Sequence, residues 1–328
     1  MTERAVVNTT MQMGLETVPG TGVAAGKSLN AFSITPAVKF DITRFRALGN
    51  KYASVGVPGR QWVEAKIAGV GTYGELIYLL SSVLVKVSPG TDGTTKTWTL
   101  TPALSAPDTV ATYTVEQGSS VRAHKFEYGL VTELGLKFSR QAGVEIDGSM
   151  LGEALQDGIT MTGTPSAVES TPLPIAGDDI SVYLADSWAG LAGASASTRV
   201  LTAEWRVANR FNTLWVLDAS QTSFVAVVET APTVSLKLKM EADSAGMALL
   251  TTMGAGTTKW ARIKCTGAAI ETGKYYTLQI DGAYVLGEPS EFSDEDGVYA
   301  IEWNAEAIYD ATAGKTIEAY MRNQVASL

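Results

Sequence analysis

The stretch Thr233-Val234-Ser235-Leu236-Lys237-Leu238-Lys239-Met240-Glu241 alternates apolar and polar residues without a break. Val234, Leu236, Leu238 and Met240 point to one side of an extended chain, and Ser235, Lys237, Lys239 and Glu241 to the other, the signature of a strand with one buried face. The same reading extends outward. Ala261, Ile263 and Cys265 oppose Arg262 and Lys264, and Tyr276, Leu278 and Ile280 oppose Thr277, Gln279 and Asp281. Tyr299, Ile301, Trp303 and Ala305 oppose Glu302, Asn304 and Glu306. Leu134, Leu136 and Phe138, then Val63, Ala65 and Ile67, then Leu201, Ala203, Trp205 and Val207 follow suit. Polar outer faces on so many strands predict antiparallel sheets, because parallel sheets are covered on both sides.

Two segments leave this period. Thr72 with Glu75 three residues later forms a capping-box pattern ahead of Leu76, Ile77, Leu79, Leu80, Val83 and Leu84, with Ser88-Pro89-Gly90 as the stop. Asp243 is the expected N-cap of a second helix through Met247, Leu249, Leu250 and Met253, stopped at Gly254. Each helix follows a strand with a polar outer face, and Thr72 and Asp243 stand 171 residues apart in a chain of 328. This spacing predicts a duplicated unit of about 160 residues. The expected division is an extended arm over 1–30, a first unit over 31–157, a loop-rich connector over 158–198 and a second unit over 199–328, with approximate bounds and interleaved units as an alternative. The arm, which lacks periodicity, is expected to need something to hold it, a neighbour being one candidate. Ser88–Thr97, Gln156–Asp179 and Ala189–Thr198 read as loops.

With 45% apolar and 18% charged residues the chain is too hydrophobic to remain disordered. Its net charge of −9 has the wrong sign for gripping phosphate. One cysteine, Cys265, excludes an intrachain disulfide and a multi-cysteine zinc site. The first residues lack a secretory signal and no run of apolar residues reaches membrane-spanning length, which predicts a protein made and folded in the cytosol.

No constellation for catalysis emerges. A Ser/His/Asp triad would have to use His124, which sits between cations in Arg122-Ala123-His124-Lys125 and reads as a strand residue. Cys265 falls on an inner strand face and reads as core. Asp294-Glu295-Asp296-Gly297, within a stretch that also holds Glu288 and Glu291, lacks the ligand spacing of an EF-hand and reads as a solvated loop. No Walker A or dinucleotide fingerprint follows a strand. No catalytic, cofactor or metal residue is assigned.

The order of the segments resembles a known family. Gly14-Leu15-Glu16-Thr17-Val18-Pro19-Gly20-Thr21-Gly22-Val23-Ala24-Ala25 followed by Lys27-Ser28-Leu29 is similar to the amino-terminal segment of tail tube proteins of long, non-contractile-tailed bacteriophages (siphoviruses). So is the run Trp62 to Val83 with its Tyr73-Gly74-Glu75-Leu76 helix start. Val131-Thr132-Glu133-Leu134-Gly135-Leu136-Lys137-Phe138-Ser139-Arg140 leading to Val144-Glu145-Ile146-Asp147-Gly148-Ser149-Met150 extends the similarity. Tyr275 to Asp281 and Asp296-Gly297-Val298-Tyr299 match the usual last strands. The resemblance implies a mainly β fold, a β-sandwich of two packed antiparallel sheets with a flanking α-helix. Subunits would form rings whose inner sheets join into an inter-subunit β-barrel, and the rings would stack into a tube in the virion tail. The tube would pass DNA to the host during ejection, without specific binding, catalysis or contact with a membrane. Tandem units would make the ring a pseudo-hexameric trimer; hexameric rings are the alternative. Tape measure, tail terminator and distal tail or baseplate proteins are partners by the same resemblance.

A negative bore would repel phosphate and let DNA slide. The acidic residues on outer strand faces, Glu133, Glu145, Asp147, Glu204, Glu302 and Glu306, are the candidates for lining it, with solvent outside the tube as their alternative environment. A different class of function also fits: a β-sandwich carbohydrate-binding or adhesion module that uses exposed aromatics such as Trp188 and Trp215.

Overall fold

The computed structural model describes residues 9–169, 173–218, 220–295 and 297–328. Strands hold 54% of the residues and helices 8%, so the protein is mainly β, and among the described residues no sheet closes into a barrel. One run of antiparallel strands crosses the whole molecule: β3 (Phe32–Phe45), β4 (Val55–Val70), β9 (Gly143–Gly152), the second part of β8 (Ala123–Ser139), β13 (Val200–Ala208), β16 (Thr233–Glu241) and β20 (Val298–Ala307). Alternation places Ile67, Ile146, Leu136, Trp205, Leu236 and Trp303 on one buried face, as the sequence predicts.

A second sheet is built on the first part of β8. It runs through β7 (Tyr113–Gly118), β1 (Thr10–Leu15) and β2 (Lys27–Leu29), with β10 (Gln156–Ile159) on the other side of β8. β11 (Ser166–Ala167) joins β2 in the one parallel pairing among the described strands. A third sheet holds β12 (Ile180–Ala185), β17 (Lys259–Glu271), β18 (Lys274–Leu286), β21 (Ile317–Asn323), β6 (Thr95–Leu100) and β5 (Gly90–Asp92). The end of β18 leaves that sheet to pair with β20, whose remaining edge meets β19 (Ser293–Glu295). The hairpin of β14 (Phe211–Leu214) and β15 (Ala226–Glu229) stands apart and packs near Trp62 and Tyr128. One continuous apolar core joins the three sheets.

Helix α1 (Leu76–Val83) is buried along its whole length and lies against β8. Its apolar side chains each stabilise the core by ~1.5–3 kcal/mol, and polar partners meet its backbone and hydroxyl groups. Tyr113 donates from its hydroxyl to Tyr78 O at 2.9 Å, Ser82 Oγ accepts from Val131 N–H at 2.9 Å, and Arg210 Nη1 donates to Val83 O at 2.8 Å at the carboxyl end. Half of the expected capping box forms, with Glu75 N–H donating to Thr72 Oγ1 at 3.1 Å. The buried Glu75 carboxylate instead accepts from Asn30 and Ala31 N–H, both at 2.8 Å, tying the amino-terminal segment to the helix start.

Several expectations are corrected. The described part of the arm is held by its own chain: β1 lies between β2 and β7, with Met11 and Met13 buried. Gln12 and Gly14 are buried too, so both faces of β1 are covered and the period-two signal vanishes. Residues 1–8 fall outside the described residues. Ser88–Thr97 contains β5 and the start of β6, and Gln156–Asp179 contains β10 and β11; β5, β10 and β11 are edge strands of two to four residues, too short for alternation to show. The second helix is two, α2 (Ser244–Met247) and α3 (Leu249–Ala255), and it passes Gly254. It ends at Gly256, whose φ of 60° suits a left-handed cap. Asp243 caps it as expected, through Ala245 and Gly246 N–H. Tyr299, placed by alternation on the inner face, is exposed: its ring stacks on Phe292, itself exposed, and not on the core. β6, from the 31–157 segment, pairs with β21, so the two segments interleave at this point, as the approximate division allows.

Candidate functional site

The surface of interest is the polar face of the seven-strand run. Register brings Glu133, Glu145, Asp147, Glu204, Glu302 and Glu306 onto it together, since each alternates with a core residue on β8, β9, β13 or β20. The same alternation puts cations there, which the sequence reading missed. Lys39, Lys66, Lys137, Arg206, Lys237 and Lys239 share the face with those carboxylates and with Glu64 and Glu241. The signal was available: in each strand the residue two positions from a carboxylate lies on the same face.

Arg206 organises the middle of the surface. Its guanidinium donates to Glu133 Oε1 at 2.6 Å and to Asp147 Oδ2 at 2.5 Å, with Glu204 Oε1 3.7 Å away. Partial burial opposes its charge, but the hydrogen bonds it donates to Asp147 and Glu133 outweigh that and raise the guanidinium above its ordinary value. Lys137 stands 3.7 Å from Glu145 and directly opposite Glu204, and Lys39 lies 3.1 Å from Glu64. The Trp62 indole N–H, 2.9 Å from Glu64 Oε1, is the main reason that carboxyl is held below its ordinary value. Lys239 pairs with Glu295 and lies opposite Glu302. The face thus carries cations among its carboxylates, which still outnumber them.

The two ends of the run differ from its middle. β3 pairs with β4 along one edge, and among the described residues no strand takes the other. The β3–β4 hairpin projects beyond the core with Phe40, Ile42, Phe45, Leu48, Tyr52, Val55 and Val57 exposed. At the other end the last residues of β18 and the short β19 cover β20, and they carry the outer edge themselves.

The aromatic residues considered for sugar binding are not open platforms. Trp188 is half-buried against Trp260 (5.2 Å between centroids) with the Lys315 ammonium 4.0 Å over its ring. Trp215 is half-buried between Trp62, Phe224 and the Arg60 guanidinium. Packing took these faces, which sequence spacing did not show. Cys265 is fully buried, and burial pushes its thiol well up, away from nucleophile chemistry. Gly297 N–H donates to Asp294 Oδ1 at 2.7 Å, so that carboxylate closes the β19–β20 turn; Asp296 lies outside the described residues. Among the described residues no group of three acidic, histidine or cysteine side chains could hold a metal ion. Nor is any helix long and apolar enough to cross a membrane, which says nothing of a β-barrel. The sequence matches no protein-family model and no curated protein.

Proposed function

We propose that the chain is a structural subunit of a bacteriophage tail tube, joining three copies head to tail through the ends of its seven-strand run. The reading rests on a repeated pairing scheme with one junction left open. In the first half β1 pairs with β7, β3 with β4, β4 with β9, and β8 bends from the β7 sheet to meet β9. In the second half β12 pairs with β17, β13 with β16, β16 with β20, and β18 bends from the β17 sheet to meet β20. Even a connecting hydrogen bond repeats: Gly71 N–H donates to Val144 O and Ala242 N–H to Tyr299 O, both at 2.8 Å. Tandem units with a common architecture account for this.

Within the chain the two units join where β8 meets β13, with Lys137 opposite Glu204. The corresponding elements are the β18–β19 edge of the second unit and β3 of the first, and both lie at the open ends. A second copy supplies each with its partner. A long unpaired edge is an association hazard unless assembly covers it, and a head-to-tail junction that closes by rotation yields a ring. In that ring the polar face lines the bore. Lys39, Lys137, Arg206 and Lys239 each stand within 4 Å of a carboxylate, so few cations remain to release counterions from DNA, and the duplex can slide.

The register is testable. Thr35 faces Lys66 as Glu204 faces Lys237, and Ser293 faces Ala300 as Lys137 faces Glu145. Thr35 of one copy should therefore lie opposite Ser293 of the next. Cα separations across antiparallel pairs suit a disulfide. Oxidised Thr35→Cys/Ser293→Cys protein should give covalent species up to three chains, and negative-stain microscopy should show rings or tubes. Ladders to six chains would overturn the trimer. Solitary particles with no interchain bond would overturn the function.

A further inference from the structure

Resting on that ring, we propose that the outer part of the β3–β4 hairpin docks in a groove on the second unit of the neighbouring copy. The chain makes the same contact once within itself. β14 and β15 continue β13 and β16 as the outer part of β3 and β4 continues the inner part. From the pair Lys39 and Trp62 to the pair Ile42 and Pro58, the register advances three residues on one strand and four on the other. From Ala208 and Thr233 to Phe211 and Glu229 it does the same. The last pairs are Phe45 with Val55 and Leu214 with Ala226. Ser54 N–H then donates to Phe45 O, and Val225 N–H to Leu214 O, both at 3.0 Å. The two hairpins are therefore counterparts.

The hairpin of the second unit folds onto the first unit of its own chain. Its Phe211, Trp215 and Phe224 pack with Trp62, Leu130 and Leu151. Trp215 lies 5.7 Å from Trp62, and Val227 N–H donates to the Tyr128 hydroxyl at 3.1 Å. Register fixes the corresponding place on the second unit. Leu151 lies opposite Glu64 and Leu130, and Glu306 lies opposite Ser235 and Val285. Trp62, two residues before Glu64, therefore corresponds to Thr233, two before Ser235. Thr233, Val285 and Glu306 line an open groove of about 430 Å³. Leu130 is fully buried, whereas Val285 is half-buried and Glu306 exposed.

Charge changes sides together with the partner. Residues 42–57 of the open hairpin hold Arg44, Arg46 and Lys51 and no carboxylate, while residues 211–228 of the docked one hold no cation. Arg46, just past the end of β3, stands where Trp215 stands past the end of β14, and Glu306 stands where Leu151 does. An apolar contact inside the chain thus becomes a cation facing a carboxylate between chains, which favours this pairing over others. Phe45, Val55 and Val57 stay open to a further contact, as Leu214 and Val228 do on the docked hairpin.

Sedimentation of full-length charge variants tests the contact. Arg46→Glu and Glu306→Arg should each raise the concentration for half-assembly roughly tenfold, because like charges then meet. The double variant Arg46→Glu/Glu306→Arg should restore assembly. Thermal unfolding of the unassembled chain should not change, since both side chains are exposed. Single variants that assemble like the original protein, or a double variant no better than either single one, overturn the docking. If oxidised Thr35→Cys/Ser293→Cys protein still links between chains, that failure leaves the ring intact. Absence of the 35–293 bond overturns the ring reading and the docking with it.

Discussion

Glu153 shows how one side chain ties stability to pH. Burial first, then the neighbouring carboxylates of Glu127 and Glu16, raise its carboxyl to about 7 from an ordinary value of 4.5. Lys125 pairs with Glu127 at 2.8 Å. The folded protein therefore holds a proton that the unfolded chain releases near pH 4.5. The stability this contributes is complete below about 4.5 and is lost as pH rises through about 7. Glu169, raised to about 7 mainly by burial, acts with the same sign. Thermal unfolding between pH 5 and pH 8 should show the midpoint falling with pH, and Glu153→Gln should flatten that fall without abolishing it. An unchanged slope in the variant would remove Glu153 from the account. Nothing in the sequence marked this site. Glu16, Glu127 and Glu153 are far apart along the chain, and only the fold brings them together.

At the level of elements, alternation carried the reading wherever a strand has one wet face. β13, β16, β17 and the second part of β8 were legible because core and polar residues take turns along them. The same rule found the acidic candidates and their shared face. It failed for β1, covered on both sides, and for Tyr299, which is exposed although it alternates with core residues. It was blind to cross-strand pairing, which is why Arg206 was overlooked.

The bend of β8 was equally invisible. It occurs at Tyr128, whose φ of 57° is unusual for a bulky residue and turns the strand from one sheet to the next. Glu16 holds the bend in place. Its carboxylate accepts from Tyr128 N–H at 2.9 Å, from the Thr114 hydroxyl at 3.1 Å and from Gly20 N–H at 2.9 Å. Removing a buried acceptor strands its donors at ~1–3 kcal/mol per group. Glu16→Ala should therefore lower unfolding stability by about 3 kcal/mol at an unchanged denaturant slope. A loss well under 1 kcal/mol, measured by urea titration, would show that the bend does not depend on this carboxylate.

For the whole molecule, the projecting β3–β4 hairpin separates folding from assembly. Its outer part adds little to the core. Phe40, Ile42, Val55 and Val57 are at least half exposed, and Leu48 and Tyr52 at the tip are 106% and 81% exposed. Substitutions at such positions usually change stability by no more than ~0.5 kcal/mol. A contiguous apolar projection of this kind nonetheless marks a contact surface. If the ring edges lie in β3 and β19, the hairpin tip beyond them is free to meet a copy in an adjoining ring, a contact that stays open and propagates. Replacing Phe40, Ile42 and Val57 by lysine should then leave the monomer's unfolding midpoint and the disulfide-locked rings intact while shortening or abolishing tubes under the microscope. Full-length tubes from that variant would assign stacking to another surface. A destabilised monomer would show that the hairpin belongs to the fold after all.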